Sequence, residues 1–263
     1  MKVSVIIPTF QPQAYLAELI TCLDNQDLNK ELFEIIIVLN GIKEGYYEKV
    51  HSSLKETSLH SSLVYTDKKG VSNARNMGLD LSKGDYIVFL DDDDLISGNY
   101  LSALLEKMEG TSIAVSNMKS FKGNDFFDDY YGKAFAKLKN TPYSLITYRK
   151  FLSSPCAKMF DKKVIGTIRF NESLTVSEDA MFCFELSKNI NSMRLAQEDC
   201  IYYRRIRESS ASRIQRSASK KMNDYLKKIK VLNGIYLKNI QEYSFIFYTT
   251  RFLAFTKFLI KNL

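Results

Sequence analysis

The runs "VSVIIP" at residues 3–8 and "EIIIVL" at 34–39 are apolar in succession, not at every second position. A strand with one wet face alternates; a strand covered on both faces does not, and such strands belong to parallel sheets crossed by helices. Further strand candidates are Leu63 to Thr66, Tyr86 to Leu90 and Ile113 to Met118, the first two running Val3 to Thr9 and Glu34 to Leu39. Helix-like spacing fills 12–26, 43–57, 72–82 and 98–109 between them. This βαβ alternation predicts a mostly parallel sheet flanked by helices. Ligands of such sheets sit beyond the C-terminal ends of the strands. The polar stretches "PTFQ", "NGI" and "DDDD" fall at those ends, so the three are expected to face one crevice.

The stretch "FLDDDDLISG" at 89–98 places four carboxylates side by side. Like charges at that spacing raise one another's pKa and oppose folding unless something positive offsets them. A strand period of two predicts Asp91 and Asp93 on one side and Asp92 and Asp94 on the other. Two convergent carboxylates are hard oxygen ligands for Mg²⁺ or Mn²⁺, with water and phosphate oxygens completing the shell. The alternative is an acidic turn before a helix starting near Asn99; the position after a buried parallel strand favours the metal.

From about residue 120 the regularity breaks. Residues 121–140, "FKGNDFFDDYYGKAFAKLKN", read as an irregular insertion or a mobile lid, 178–186 as a helix, 193–205 as one strand, and 217 onward as helical and basic. From Ile201 on there are 14 Lys and Arg against 3 acids, whereas the first 200 residues carry 23 against 27. That asymmetry suits an anionic partner (nucleic acid, an acidic membrane surface or a diphosphate) or a solvated helical surface. The final "YSFIFYTTRFLAFTKFLIKNL" suits a membrane surface as well as a helix packed on its own domain or on a second subunit.

Several classes are excluded. No run of 18 uncharged apolar residues marks a membrane span, and the N-terminus does not resemble a signal peptide, so a cytoplasmic location is expected. Cys22, Cys156, Cys183 and Cys200 are widely spaced, and His51 and His60 lie in a polar stretch, which argues against a zinc site or disulfide framework. There is no GxxxxGK[ST], no GxGxxG after the first strand and no HExxH.

The stretch "GVSNARNMGLDLSKGDYIVFLDDDD" resembles the segment of glycosyltransferase family 2 that reads G-x-x-x-A-R-N-x-G and then G-x-Y-hydrophobic-L-D-x-D-D. "VSVIIPTF" is similar to the family's opening strand, Ser177-Glu178-Asp179 to its downstream Glu-Asp motif, and "YYRRIRESSAS" to its later Tyr-Arg and Ser-x-Ser. The four motifs come in the family's order over about the first 212 residues.

The resemblance implies an α/β GT-A fold, Rossmann-like with a mostly parallel central sheet, and inverting transfer of a sugar from a nucleotide diphosphate to a hydroxyl. It implies that Asp91 and Asp93 form the DxD motif, with Asp93 the direct ligand of Mn²⁺ or Mg²⁺. It makes Asp179 the base, with Glu178 beside it, and assigns Pro8, Thr9 and Phe10 to a loop at the nucleotide base. Arg75 and Asp92 fall to the nucleotide sugar, Arg204 and Ser210 to a diphosphate clamp. Ser177 and the two acids after it also suit a helix N-terminus. The chain departs from the family where an Asp-rich turn usually follows the second strand: here "VLNGI" offers Asn40, whose amide both donates and accepts and so suits uracil.

On this reading the catalytic domain covers 1–215, with a nucleotide-binding half at 1–120 and an acceptor-binding half at 121–215, and a basic, aromatic helical extension covers 216–263. The expected donor is a UDP-sugar, and the expected acceptor a glycan or lipid-linked oligosaccharide of cell-surface polysaccharide. Peripheral contact with the inner face of the plasma membrane and a homodimer through the C-terminal helices are both open. The rivals are a catalytically silent partner subunit and a nucleic-acid-binding module, the latter leaving the acidic cluster without a role.

Overall fold

The structure, a computed structural model, describes residues 1–139, 141–207 and 217–262. In chain order, β1 (Val3–Thr9), α1 (Ala14–Asp24), β2 (Phe33–Asn40), α2 (Tyr46–Lys55), β3 (Ser61–Thr66), α3 (Val71–Leu81) and β4 (Tyr86–Phe89) form the βαβ half. Then follow β5 (Leu95–Ile96), α4 (Tyr100–Glu106), β6 (Ile113–Val115), β7 (Asn117–Lys122), β8 (Asp125–Phe127), α5 (Tyr130–Leu138), β9 (Lys158–Asp161) and α6 (Lys162–Ile165). The chain continues through α7 (Glu178–Leu186), β10 (Met193–Leu195), β11 (Ile201–Arg205), α8 (Ala218–Lys238) and α9 (Phe245–Asn262).

The main sheet has the order β10-β6-β9-β4-β1-β2-β3, and a smaller one the order β5-β11-β7-β8. Strand β1 pairs in parallel with both β2 and β4, so successive connections leave it in opposite directions. Such a reversal of strand order opens a crevice beyond the strand ends. Every residue of β1 and β2 is buried, as their uninterrupted apolar runs require. Strand β9 enters antiparallel between β4 and β6.

Two glycines set how closely the elements around the crevice approach. A Cβ on Gly78 would stand 2.3 Å from Ile6 Cγ2, so its absence lets α3 close on β1. A Cβ on Gly84 would meet the backbone nitrogen of Ser4 at 2.7 Å. Gly84 N instead donates to Ser4 Oγ at 2.8 Å, and Ser4 Oγ donates to the buried Glu34 Oε1 at 2.7 Å, which ties the entry of β4 to β1 and β2.

Three expectations are corrected. The strand expected over 113–118 is two strands, β6 in the main sheet and β7 in the small one. The strand expected over 193–205 likewise divides into β10 and β11, one in each sheet. Apolar content reads the same whichever sheet takes a strand, so the switch is invisible in periodicity. The described part of 121–140 is regular: it completes β7, turns into β8 and forms α5, whose Tyr131, Ala134 and Phe135 are buried in the core. Their i, i+3, i+4 spacing is that of a helix packing one face.

The C-terminal helices pack on the domain. Phe184 of α7 stacks on Tyr243 and Phe247 with ring centroids 5.2 and 5.6 Å apart. Leu232 and Tyr236 of α8 join the same core. Buried Arg251 of α9 donates to the carbonyls of Arg149 and Leu152.

Candidate active site

Helix α3 starts at Val71, and its Ala74-Arg75-Asn76 faces inward, all three buried. Ala74 packs against Ile36 and Val38 of β2. Asn76 accepts from Phe170 N at 2.8 Å and donates to Phe170 O at 3.0 Å, pinning the segment that leads to α7. Arg75, expected at the donor, crosses the crevice: Nη2 donates to Asp91 Oδ1 at 2.8 Å and Nη1 to Asp179 Oδ1 at 2.6 Å. Only 3% of its side chain is exposed, and its guanidinium lies 5.2 Å from the centre of the Phe170 ring. Burial works against the charge, but Asp179 and Asp91 more than offset it and hold the guanidinium protonated.

The question raised by the four aspartates has a structural answer. Strand β4 ends at Phe89, and Asp91–Asp94 form a turn closed by Asp94 N donating to Asp91 O at 3.2 Å, so the expected alternation of faces does not occur. Each carboxylate points to its own partner. Asp91 binds Arg75; Asp92 accepts from Thr9 Oγ1 at 2.5 Å. Asp93 Oδ2 lies 2.5 Å from Arg207 Nε, and its carbonyl accepts from Arg205 Nε at 2.8 Å. Asp94, almost wholly buried, accepts from Tyr202 Oη at 2.6 Å and Arg205 N at 2.7 Å. Burial pushes Asp92 up to about 6, against the hydrogen bond from Thr9. Burial and the charge of Asp91 raise Asp93, and burial with both neighbours raises Asp94 further.

Glu178 and Asp179 open α7 behind Ser177, whose φ of +65° lies in the left-handed region. Ser177 makes no side-chain cap, so the capping expected of it is not seen; the sharp backbone turn presents the two acids. Strained backbone of this kind concentrates at functional sites. A quarter of the Asp179 side chain is open to solvent. Burial pushes its carboxyl up to about 7; Arg75 pulls it down, and Glu178 and Asp91 push it up again.

Other expected residues lie differently. Pro8 and Thr9 belong to β1 itself, not to a loop, and only Phe10 follows it, with Lys69 Nζ 4.2 Å from its ring centre. Asn40, expected at the base, is buried and committed: Nδ2 donates to Thr9 O at 2.7 Å, and Oδ1 accepts from Gly70 N at 2.9 Å. It braces the ends of β1 and β2 against the start of α3. Arg204 turns away from the acids, donating to Ser120 Oγ at 3.0 Å and pairing with Asp129 at 2.7 Å. Arg205, Arg207 and Tyr202 reach the aspartates in its place. The sequence signal was a cluster of arginines at 204, 205 and 207; nothing local decides which of them faces the turn. Ser210 lies outside the described residues.

Asp91 and Asp93 are the right chemical type for Mg²⁺ or Mn²⁺. Among the described residues no group of three or more His, Cys, Asp or Glu could hold a metal ion. Asp91 is paired with Arg75 and Asp93 with Arg207, so a cation held by these two carboxylates would have to draw its remaining ligands from water and phosphate oxygens, as Mg²⁺ commonly does.

The sequence profile of the family described as "Glycosyl transferase family 2" matches residues 4–169. The chain is 24% identical over 212 residues to the poly(ribitol-phosphate) beta-N-acetylglucosaminyltransferase TarS of Staphylococcus aureus, a match covering 79% of this chain and 36% of that one. It is 28% identical over 209 residues to the GalNAc(5)-diNAcBac-PP-undecaprenol beta-1,3-glucosyltransferase of Campylobacter jejuni, covering 76% and 67%. The crystal structure of S. aureus TarS 1–349 with UDP-GlcNAc superposes with a TM-score of 0.74 at 23% identity, over 92% of this chain and 67% of that one. A mannosyltransferase from Pyrobaculum calidifontis, in complex with GDP-Man and Mn²⁺, gives 0.64 at 13% identity, over 98% and 69%. The chain thus spans only about a third of the length of TarS.

Proposed function

The chain belongs to glycosyl transferase family 2, and from that premise we propose that it moves a sugar from a UDP-sugar to a hydroxyl of a glycan or lipid-linked acceptor, with inversion. The observation that carries the reading is the single guanidinium of Arg75 bound to both Asp91 and Asp179. It joins the acidic turn, where a donor diphosphate would lie, to Asp179, a carboxylate raised into the range of a base working at neutral pH.

Asp179 accepts the proton of the acceptor hydroxyl as that oxygen attacks the anomeric carbon from the face opposite the diphosphate. The bond between the anomeric carbon and the diphosphate oxygen breaks, and the electron pair leaves with the diphosphate. Arg75 orients Asp179 and keeps its negative form tolerable beside Glu178. A divalent cation held by Asp91 and Asp93 would offset the charge that develops on the leaving group. Asp92 and Thr9 lock each other at the end of β1, and Asn40 fixes the adjoining loops. The two acid groups come from either side of residue 120, which supports a nucleotide-binding half before it and an acceptor-binding half after it.

UDP is favoured because TarS, similar in fold, binds UDP-GlcNAc and UDP. A surface glycan acceptor is favoured by the named substrates of the two relatives. The silent-subunit reading requires a site unable to turn over, yet both acid groups of the site are present.

The test is donor consumption with UDP-GlcNAc, UDP-glucose, UDP-galactose and GDP-mannose, with and without Mn²⁺, in the presence of glycan acceptors, with thermal shifts measured alongside. Turnover of one UDP-sugar that is lost in Asp179→Asn supports the reading. No turnover and no stabilisation by any nucleotide would leave the silent subunit.

A further inference from the structure

Helices α8 and α9 bury one side on the domain and leave the other bare. They run antiparallel, joined by Tyr225 Oη with Thr256 Oγ1 at 3.0 Å and by Tyr248 Oη donating to Asn233 Oδ1 at 2.9 Å. In α9 the i, i+4 series Phe247, Arg251, Phe255 and Leu259 faces inward, all buried. Helical geometry places Ile246, Leu253 and Ile260 on the opposite side in one stripe; they are 59, 64 and 70% exposed. Met222, Leu226 and Leu237 line one side of α8 and are 38, 56 and 62% exposed. Both helices therefore carry a strip of exposed aliphatic side chains away from the core.

The charge around this strip distinguishes among occupants. Residues 218–262 hold nine Lys and Arg against Asp224 and Glu242, a balance of nine minus two, or +7. Lys230, Lys238, Lys257 and Lys261 are exposed along it. Lys228 and Arg251 are buried and do not reach this face; with them set aside the balance is seven minus two, and a second copy would bring about +5 against +5, which opposes self-association. Nucleic acid would answer the charge and leave the aliphatic side chains wet. A bilayer surface with anionic headgroups answers both, because lysines extend to the headgroups while Leu and Ile enter the acyl boundary.

We infer that the outer face of the α8–α9 hairpin docks the protein peripherally on an anionic lipid surface. No helix among the described residues is long and apolar enough to cross a membrane, so the contact lies in the plane of the interface. Lys227, midway along α8, bonds the carbonyl of Ser173, so the hairpin contacts the segment that leads to Glu178 and Asp179. The inference does not depend on which donor the site takes.

The experiment is co-sedimentation of the full chain with phosphatidylcholine vesicles, with and without phosphatidylglycerol, at low and high salt. The expected result is binding that requires phosphatidylglycerol and falls with salt. In the Leu253→Ser/Ile260→Ser variant it weakens by about tenfold or more, since affinity follows buried apolar area. Lys257→Glu/Lys261→Glu is expected to weaken it as well, with the thermal melt of both variants unchanged. Equal binding of wild type and both variants, or no preference for anionic vesicles, would overturn the inference. So would a dimer in light scattering that the serine substitutions dissociate, which would assign the strip to a second copy. Turnover with a water-soluble acceptor stays at the wild-type rate in these variants, which separates the docking face from the chemistry.

Discussion

Arg75 Nη1 lies 2.6 Å from Asp179 Oδ1, and the other arm of the same guanidinium holds Asp91. One buried cation thus fixes the geometry of two acids from distant parts of the chain, and the consequences divide cleanly between chemistry and stability.

Asp179→Asn keeps the shape and a hydrogen bond to Arg75 but removes the base. The turnover number is expected to fall by about 10²–10⁴-fold, with the donor dissociation constant changed less than about threefold. Steady-state kinetics and calorimetric titration of UDP check both; loss of donor binding along with turnover would make Asp179 a structural residue.

Arg75→Lys retains charge in a side chain that lacks the fork needed to hold two carboxylates at once. Arg75→Ala leaves both acids without their shared cation, and breaking a buried pair costs about 3 kcal/mol or more. A melting temperature lowered by roughly 6 °C or more is expected for the alanine variant, with a smaller loss for lysine. Turnover is expected to fall in both, because in neither is Asp179 oriented from two sides.

The raised carboxyl of Asp179 makes activity and stability run in opposite directions with pH. A base works deprotonated, so kcat/KM is expected to rise through about pH 7 and level off above it. The folded protein meanwhile keeps a proton that the unfolded chain releases near its ordinary value of 3.8, so this group's contribution to stability is complete below that value and lost as pH rises through about 7. The pH profiles of kcat/KM and of the melting temperature test the two signs. Asp179→Asn is expected to flatten its share of the second; a pH–rate limb that persists in the variant's residual activity would belong to another group.

Gly84→Ala and Gly78→Ala are expected to differ. At Gly84 the added methyl meets the Ser4 backbone, which has no rotamer to give, whereas at Gly78 it meets the side chain of Ile6. Overpacking costs about 1–3 kcal/mol, with Gly84→Ala at the upper end. Denaturant unfolding of the two variants gives the order; equal losses would mean that β1 shifts as easily as the Ile6 side chain.

Much of the molecule was legible in one dimension. The apolar runs of β1 and β2 required burial on both faces, and the polar stretches at their C-terminal ends marked the crevice, because strand direction and helix crossover leave little choice of topology. Asp91, Arg75 and Asp179 were each singled out by motif. Their joint geometry was not, since Arg75 reads alike as a donor contact and as the bridge it is. Asn40 had the chemistry to read a base, and only the nearness of Thr9 O and Gly70 N shows that amide already in use.

The sequence by itself determined the βαβ order, the position of the acidic turn and the family to which the chain belongs, because those depend on local pattern and on spacing along the chain. The tertiary structure alone decided which sheet takes each half of 113–118 and 193–205, and which of Arg204, Arg205 and Arg207 meets the aspartates. It also decided which side of α9 is buried. Each of these is a choice between neighbours of similar chemistry, and it is settled by packing between segments far apart in the chain, an energy that no short stretch of residues contains.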